Sequence, residues 1–326
     1  MGAPRTVRYL SQADTEALLS WPEVISCLAA AYARAGDARA APPKVVARSG
    51  GMWLRALTAI SGTGTCMGAK IIAKGRPRGT EHVIALWDQQ SGALACLMSG
   101  KGVTAVRTAA TTAVAIDRIA PRSALDVAVL GSGHEASTHV SALATVRELR
   151  SLRVYSPTRE NRERFAARIS RELGIGGRAA ARPSEAVEGA DLVIAAARSH
   201  DETPILQGAW LERGAMVVSI GSTVPEQREV DPETVRRADV IVADVPEEVA
   251  HETGDMIAAR EAGVSFDAKM VSLADLVQER ATVQQRRDNN VLFKSVGSGL
   301  QDVAVAEMCY ARAQTAGVGR LFEMDI

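Results

Sequence analysis

The rhythm of hydrophobic positions along the chain changes near residue 121. Before it, Leu18, Val24, Ile25, Leu28 and Ala31 recur at helical spacing, which predicts one helix over residues 15–35. Short strand-like runs follow at 52–57, 68–73, 82–87 and 93–98, and Asp88-Gln89-Gln90-Ser91-Gly92 between the last two predicts a hairpin. Residues 104–119 are apolar and rich in Ala and Thr, which predicts a buried helix that Pro121 ends, a natural domain boundary. Beyond it, nearly continuous runs of Val, Ile, Leu and Ala stand at 126–130, 151–155, 191–195, 215–220 and 239–243. Such runs suit strands buried on both faces, and their alternation with helical stretches predicts an α/β fold with a Rossmann-type, doubly wound parallel sheet. Residues 290–313 read as a loop leading into an apolar helix.

Composition narrows the function. With 326 residues, 47% of them hydrophobic, the chain can bury the cores of two domains. Lys+Arg and Asp+Glu balance at 38 each, so the charge offers no footing for nucleic acid or an anionic membrane. Cys27, Cys66, Cys96 and Cys309 are scattered without a CxxC pair, which argues against a zinc site or disulfide framework and for a reduced, cytoplasmic protein. The opening MGAPRTVRYL has no apolar leader region, and no run approaches the ~20 apolar residues of a membrane span. His134 and His139 lie five apart and share no helix face, while His82, His200 and His251 are isolated. No metal site is expected from them, and each reads as a surface or hydrogen-bonded residue.

The strongest local motif is Gly131-Ser132-Gly133-His134-Glu135-Ala136, placed between the run 126–130 and a helix carrying Val140 and Leu143. It is a G-x-G-x-x-A turn. Gly131 permits the tight turn, Gly133 lets a pyrophosphate approach the backbone, and Ala136 allows close helix–strand packing. Free N–H groups and the positive dipole end of the helix would meet the phosphates. The bland alternative is a glycine turn without a ligand. An NAD site places Asp or Glu at the end of the next strand, for the ribose 2′-OH. That place here reads Tyr155-Ser156-Pro157-Thr158-Arg159, with hydroxyls and an arginine instead. This suits the 2′-phosphate of NADP(H), with NAD(H) the second choice, unless Arg159 is only a solvated residue opening a helix.

Lys70 sits within an apolar strand and Arg107 at the start of an apolar helix. Each needs a carboxylate if buried, from the protein as a structural ion pair or from a substrate.

Taken together, Gly68-Ala69-Lys70, Arg107-Thr108-Ala109-Ala110, the 131–136 turn, His251-Glu252-Thr253-Gly254-Asp255, Phe293-Lys294-Ser295-Val296-Gly297 and Leu300-Gln301-Asp302 make the chain resemble the ornithine cyclodeaminase/mu-crystallin family over nearly its full length. The resemblance implies a Rossmann domain, residues 121–297, inserted in a second α/β domain, residues 1–120 plus 298–326, that binds substrate and forms a homodimer. It makes Lys70 and Arg107 the catalytic and substrate-carboxylate residues. Lys44 in Pro42-Pro43-Lys44 stands where the family usually has an arginine, keeping the charge but losing the fork. It assigns Thr108, Gly131, Ser132, Gly133, His134, Glu135, Ser156, Thr158, Arg159, Gly221, Lys294, Ser295 and Gly297 to the cofactor, with Lys294 to Gly297 near the nicotinamide. True cyclodeaminases carry an aspartate where this chain has Thr223. A threonine cannot hold an ammonium by charge or act as a base near neutral pH. The resemblance therefore implies an oxidoreductase that reduces a small α-imino acid or runs the reverse. The alternatives are a cyclodeaminase with recycled NAD and a non-catalytic, crystallin-like binding protein.

Overall fold

The computed structural model describes residues 5–75, 79–199 and 201–324, so His200 lies outside the described residues. The chain forms two compact units, residues 1–111 with 297–326 and residues 112–296. The division falls inside the helix Gly100–Ile119 rather than at Pro121. Proline stops a helix, but the change of unit needs no stop, because the backbone ladder continues through it.

The first unit is built on a seven-stranded sheet. Its order is Arg320–Met324, Arg5–Leu10, Leu94–Ser99, Thr80–Asp88, Cys66–Lys74, Met52–Ile60 and Val45–Ser49. The predicted strands are all present, most of them longer than expected. The hairpin turn is also present. Asp88 N–H bonds to the Ala93 carbonyl at 2.9 Å, and Gly92 takes φ +66°, which suits a residue without Cβ. The helix expected over 15–35 is two helices, Gln12–Ala17 and Trp21–Ala33. Pro22 lacks an N–H and would collide with the Leu18 carbonyl in a continuous helix, so the chain breaks between them. Ser11 and Asp14 close the first helix in a capping box.

One face of this sheet is covered. The helix Gly299–Ala316 packs so closely that a Cβ on Gly299 would stand 2.2 Å from the Thr58 carbonyl oxygen. Strand alternation sends Cys66, Gly68, Lys70 and Ile72 to that inner face, all buried. On the opposite face Met52, Leu54, Ile60 and Val83 are about half exposed.

The second unit is an eight-stranded sheet, parallel throughout. Its order is Met270–Ser272, Val240–Ala243, Val291–Lys294, Met216–Ser219, Leu192–Ala195, Leu125–Leu130, Leu149–Tyr155 and Gly176–Ala179. The five predicted strands lie within it. The segment 290–313, expected to begin as a loop, instead opens with the fully buried strand Val291–Lys294, and its helix starts at Gly299. That strand is last in the unit's sequence but is inserted between Met216–Ser219 and Val240–Ala243. A four-residue run has no period of its own to announce it. Among the described residues no helix is long and apolar enough to cross a membrane, and no group of three His, Cys, Asp or Glu side chains could hold a metal ion.

Candidate active site

In the first unit, Lys70 and Arg107 meet on one carboxylate. Lys70 is 0% exposed and donates from Nζ to Asp302 Oδ1 at 2.7 Å. Arg107, 6% exposed, donates from Nε to the same oxygen at 2.9 Å and from Nη1 to Gln301 Oε1 at 2.7 Å. Gln301 in turn donates to the Tyr32 hydroxyl at 2.7 Å. Asp302 Oδ2 is buried without a hydrogen-bond partner. Among the described residues, two buried cations thus face a single carboxylate, leaving one positive charge in excess. Burial lowers the Lys70 pKa to about 7, helped by the neighbouring Arg107, with Asp302 opposing. Lys44 is also buried, just ahead of the strand Val45–Ser49. Gly297, at φ +80°, lies flat against the guanidinium, where an added Cβ would stand 2.5 Å from Nη1. Thr108 returns its hydroxyl to the Thr104 carbonyl within the helix at 2.7 Å.

Asp302 escaped assignment from sequence. The signal was present, because a buried lysine and arginine demand a carboxylate, but one among 38 acidic residues cannot be chosen without the fold.

In the second unit the strand Leu125–Leu130 runs into Gly131 at φ +126°, where a Cβ would stand 2.7 Å from the Ala196 carbonyl oxygen. Only glycine fits that turn. Gly133 caps the helix His134–Val146 with no side-chain hydrogen bond, and the space beside its Cα is open. Ala136 is fully buried, as the motif requires. His139, also buried, bonds to the Glu135 carbonyl at 2.8 Å. Ser132 Oγ donates to Ser156 Oγ at 2.9 Å, which joins the ends of the first two strands. Thr158 caps the next helix, and Arg159 points outward, paired with Glu163 at 2.7 Å. Arg162, which the sequence reading passed over, shapes this turn by donating to the Ser156 carbonyl at 2.8 Å.

The side chains of Lys294 and Ser295 are turned into the unit. Lys294 donates to Asp255 Oδ2 at 2.7 Å and to Ser219 Oγ at 2.8 Å. Ser295 donates to Asp244 Oδ2 at 2.7 Å. Both side chains are thus held by acidic partners of the same unit. Glu229 completes the cluster. Its Oε2 accepts from Ser219 Oγ at 2.7 Å and from the N–H groups of Ile220 and Gly221 at 2.8 Å, which fixes the turn at Gly221. Burial raises its pKa to about 7, and Asp255 adds to the effect. Thr223 is half-buried and donates to Gln227 Oε1 at 3.3 Å.

Comparison with known proteins shows the family and the fold. Residues 7–317 match the model of the ornithine cyclodeaminase/mu-crystallin family. Ketimine reductase mu-crystallin of Mus musculus is 30% identical over 70% of this chain and 68% of its own. The solved Delta(1)-pyrroline-2-carboxylate reductase of Thermococcus litoralis, in complex with NADH and L-proline, superposes with a TM-score of 0.89 at 27% identity. That match covers 96% of this chain and 99% of the other. A probable ornithine cyclodeaminase from Bordetella pertussis superposes with a TM-score of 0.85 at 31% identity, over 95% and 98% of the two chains. The chain belongs to the ornithine cyclodeaminase/mu-crystallin family.

Proposed function

We propose that this protein is an NAD(P)H-dependent oxidoreductase that reduces the C=N bond of a small α-imino acid. The observation that carries the reading is the excess positive charge where Lys70 and Arg107 share Asp302. Burying two cations on one carboxylate is costly, and a substrate carboxylate supplies the missing charge. Arg107 offers its guanidinium to that carboxylate while Asp302 and Gln301 hold it in place. Lys44 adds positive charge to the same role. Lys70, with a pKa near 7, can give a proton to the substrate nitrogen and take it back in the reverse direction.

The residues present fit a dinucleotide. Gly131 makes a turn that a Cβ would block, and Gly133 leaves the helix N-terminus open. Gly131 to Glu135 would hold the pyrophosphate, and Gly221 and the backbone of Lys294 to Gly297 the nicotinamide end. The bound nicotinamide supplies or accepts the hydride. Ser156, Thr158 and the outward Arg159, with no acidic residue beside them, support a preference for NADP(H). Thr223 in place of an aspartate argues against cyclodeamination. The apolar outer sheet face of the first unit, with Met52, Leu54, Ile60 and Val83, supports a homodimer. Four unbridged cysteines support a reducing compartment, the cytoplasm.

The test is a spectrophotometric screen of NADPH and NADH oxidation with cyclic imino acids and with keto acids plus ammonia or amines. Net oxidation with an imino acid is the expected result. Turnover of a diamino acid with no net oxidation identifies a cyclodeaminase instead, and cofactor binding without turnover of any imino acid identifies a crystallin-like protein.

A further inference from the structure

We propose that Thr104, His82 and Thr80 form a proton-supply line that recharges Lys70 during turnover. The proposal rests on the reading above that Lys70 delivers a proton to the substrate. Each reduction then leaves a neutral amine at a position with no solvent exposure, and the proton must be replaced from outside.

The line is continuous in the first unit. Lys70 Nζ lies 3.4 Å from Thr104 Oγ1, His82 Nδ1 lies 3.3 Å from the same oxygen, and His82 Nε2 lies 3.1 Å from Thr80 Oγ1. Strand register explains why they meet. Lys70 pairs with Ile84 and Ile72 with His82, so Lys70 and His82 share the inner face two residues apart. His82 and Thr80 are half-buried, and the exposed Gly79 precedes Thr80, so the line ends at solvent.

The hydrogen-bond pattern fixes its direction. The Thr104 hydroxyl donates to the Gly100 carbonyl at 2.7 Å, so both Lys70 and His82 donate to its lone pairs. His82 therefore carries its proton on Nδ1, and Nε2 accepts from Thr80. Burial, together with the charges of Lys70 and Lys101, lowers the His82 pKa to about 4, with Asp302 opposing and Arg107 assisting. The ring is thus neutral near pH 7 and passes a proton by changing tautomer, without charging.

The steps balance. An N–H bond of the Lys70 ammonium breaks as the proton joins the imine nitrogen. The Thr104 hydroxyl turns from Gly100 to Lys70 and gives it a proton, while its oxygen takes the one on His82 Nδ1. His82 Nε2 takes the Thr80 hydroxyl proton, and a buffer acid in the solvent replaces that one and leaves as its conjugate base. The hydroxyls then rotate back, and the ring resets by swinging to solvent, where water takes the Nε2 proton and returns one to Nδ1. No electrons move in these steps.

The experiment uses His82→Gln, His82→Ala and Thr80→Val in the full-length protein, with an imino acid that the wild type reduces. We expect kcat to fall roughly tenfold to a hundredfold in the His82 variants, with KM and NAD(P)H affinity little changed. The solvent deuterium isotope effect on kcat should grow, and free imidazole should restore His82→Ala in a saturable way. Thr80→Val should raise the isotope effect without altering the melting temperature. A purely structural histidine would change stability but give neither the isotope effect nor the rescue. Unchanged kcat and isotope effect in His82→Gln and Thr80→Val overturn the line. If Lys70→Gln is nevertheless inactive, the function reading stands without it. A wild type that oxidises no NAD(P)H with any imino acid overturns both.

Discussion

Replacing Gly297 by alanine tests the site with one methyl group. The new Cβ would stand 2.5 Å from Arg107 Nη1, 2.7 Å from Nη2 and 2.9 Å from Cζ. Ordinary contact begins near 3.4 Å, so the guanidinium must retreat by about 0.9 Å. It cannot do so and keep its bonds to Asp302 at 2.9 Å and Gln301 at 2.7 Å. The backbone adds strain of about 1–2 kcal/mol, because φ +80° is unfavourable once a Cβ is present. A displacement near 1 Å at a substrate-positioning group costs up to about a hundredfold in rate. We therefore expect kcat/KM for imino acid reduction to fall about ten- to a hundredfold, near 1.4–2.7 kcal/mol, with a Tm lower by a few degrees. The decisive assay is a double-mutant cycle with Arg107→Ala. If the methyl acts through the guanidinium, Gly297→Ala costs much less in the Arg107→Ala background. An equal cost in both backgrounds would falsify the argument and make Gly297 a backbone or cofactor position alone.

Arg107→Lys keeps the charge but loses the fork, so kcat/KM should fall roughly ten- to a thousandfold, about 1.4–4 kcal/mol, with cofactor affinity unchanged; full activity would mean that the carboxylate is held elsewhere. Arg159→Asp should move the NADPH/NADH ratio of kcat/KM about tenfold or more toward NADH, and a wild type that prefers NADH refutes the assignment. Glu229 offers a test of pH dependence. Its folded pKa of about 7 lies above the ordinary 4.5, so the folded protein keeps a proton that the unfolded chain releases. Its contribution is complete below pH 4.5 and is lost as the pH rises through 7, on the order of 3 kcal/mol in all. Glu229→Gln should remove that slope from denaturation curves, and identical slopes in the two proteins contradict it. Light scattering at micromolar concentration should find a particle near twice the 34.4 kDa of one chain, and a lone 34.4 kDa particle rules out the dimer.

Much of the second unit was legible from residues alone. Continuous apolar runs mark strands covered on both faces, and Gly131 is demanded by a turn that excludes Cβ, so local pattern and final structure agree there. Lys70 and Arg107 stood out for a related reason: a charge inside an apolar period signals a site or a buried pair wherever it occurs. The break at Pro22 was equally local, and the helical period on either side obscured it. Other features depend on distant neighbours. Val291–Lys294 is a strand because two other strands leave a place for it in mid-sheet, and four residues contain no record of that. Asp302 lies 232 residues from Lys70 and 195 from Arg107, and only folding selects it from the other acids. The inward turn of Lys294 follows from where Asp255 arrives. Sequence by itself thus determined the elements, the glycine turn and the need for buried charge to be answered, because these follow from short-range sterics and the cost of desolvation. Which carboxylate answers which cation was decided only by the tertiary structure, because hydrogen bonds reach about 3 Å in space and any distance along the chain.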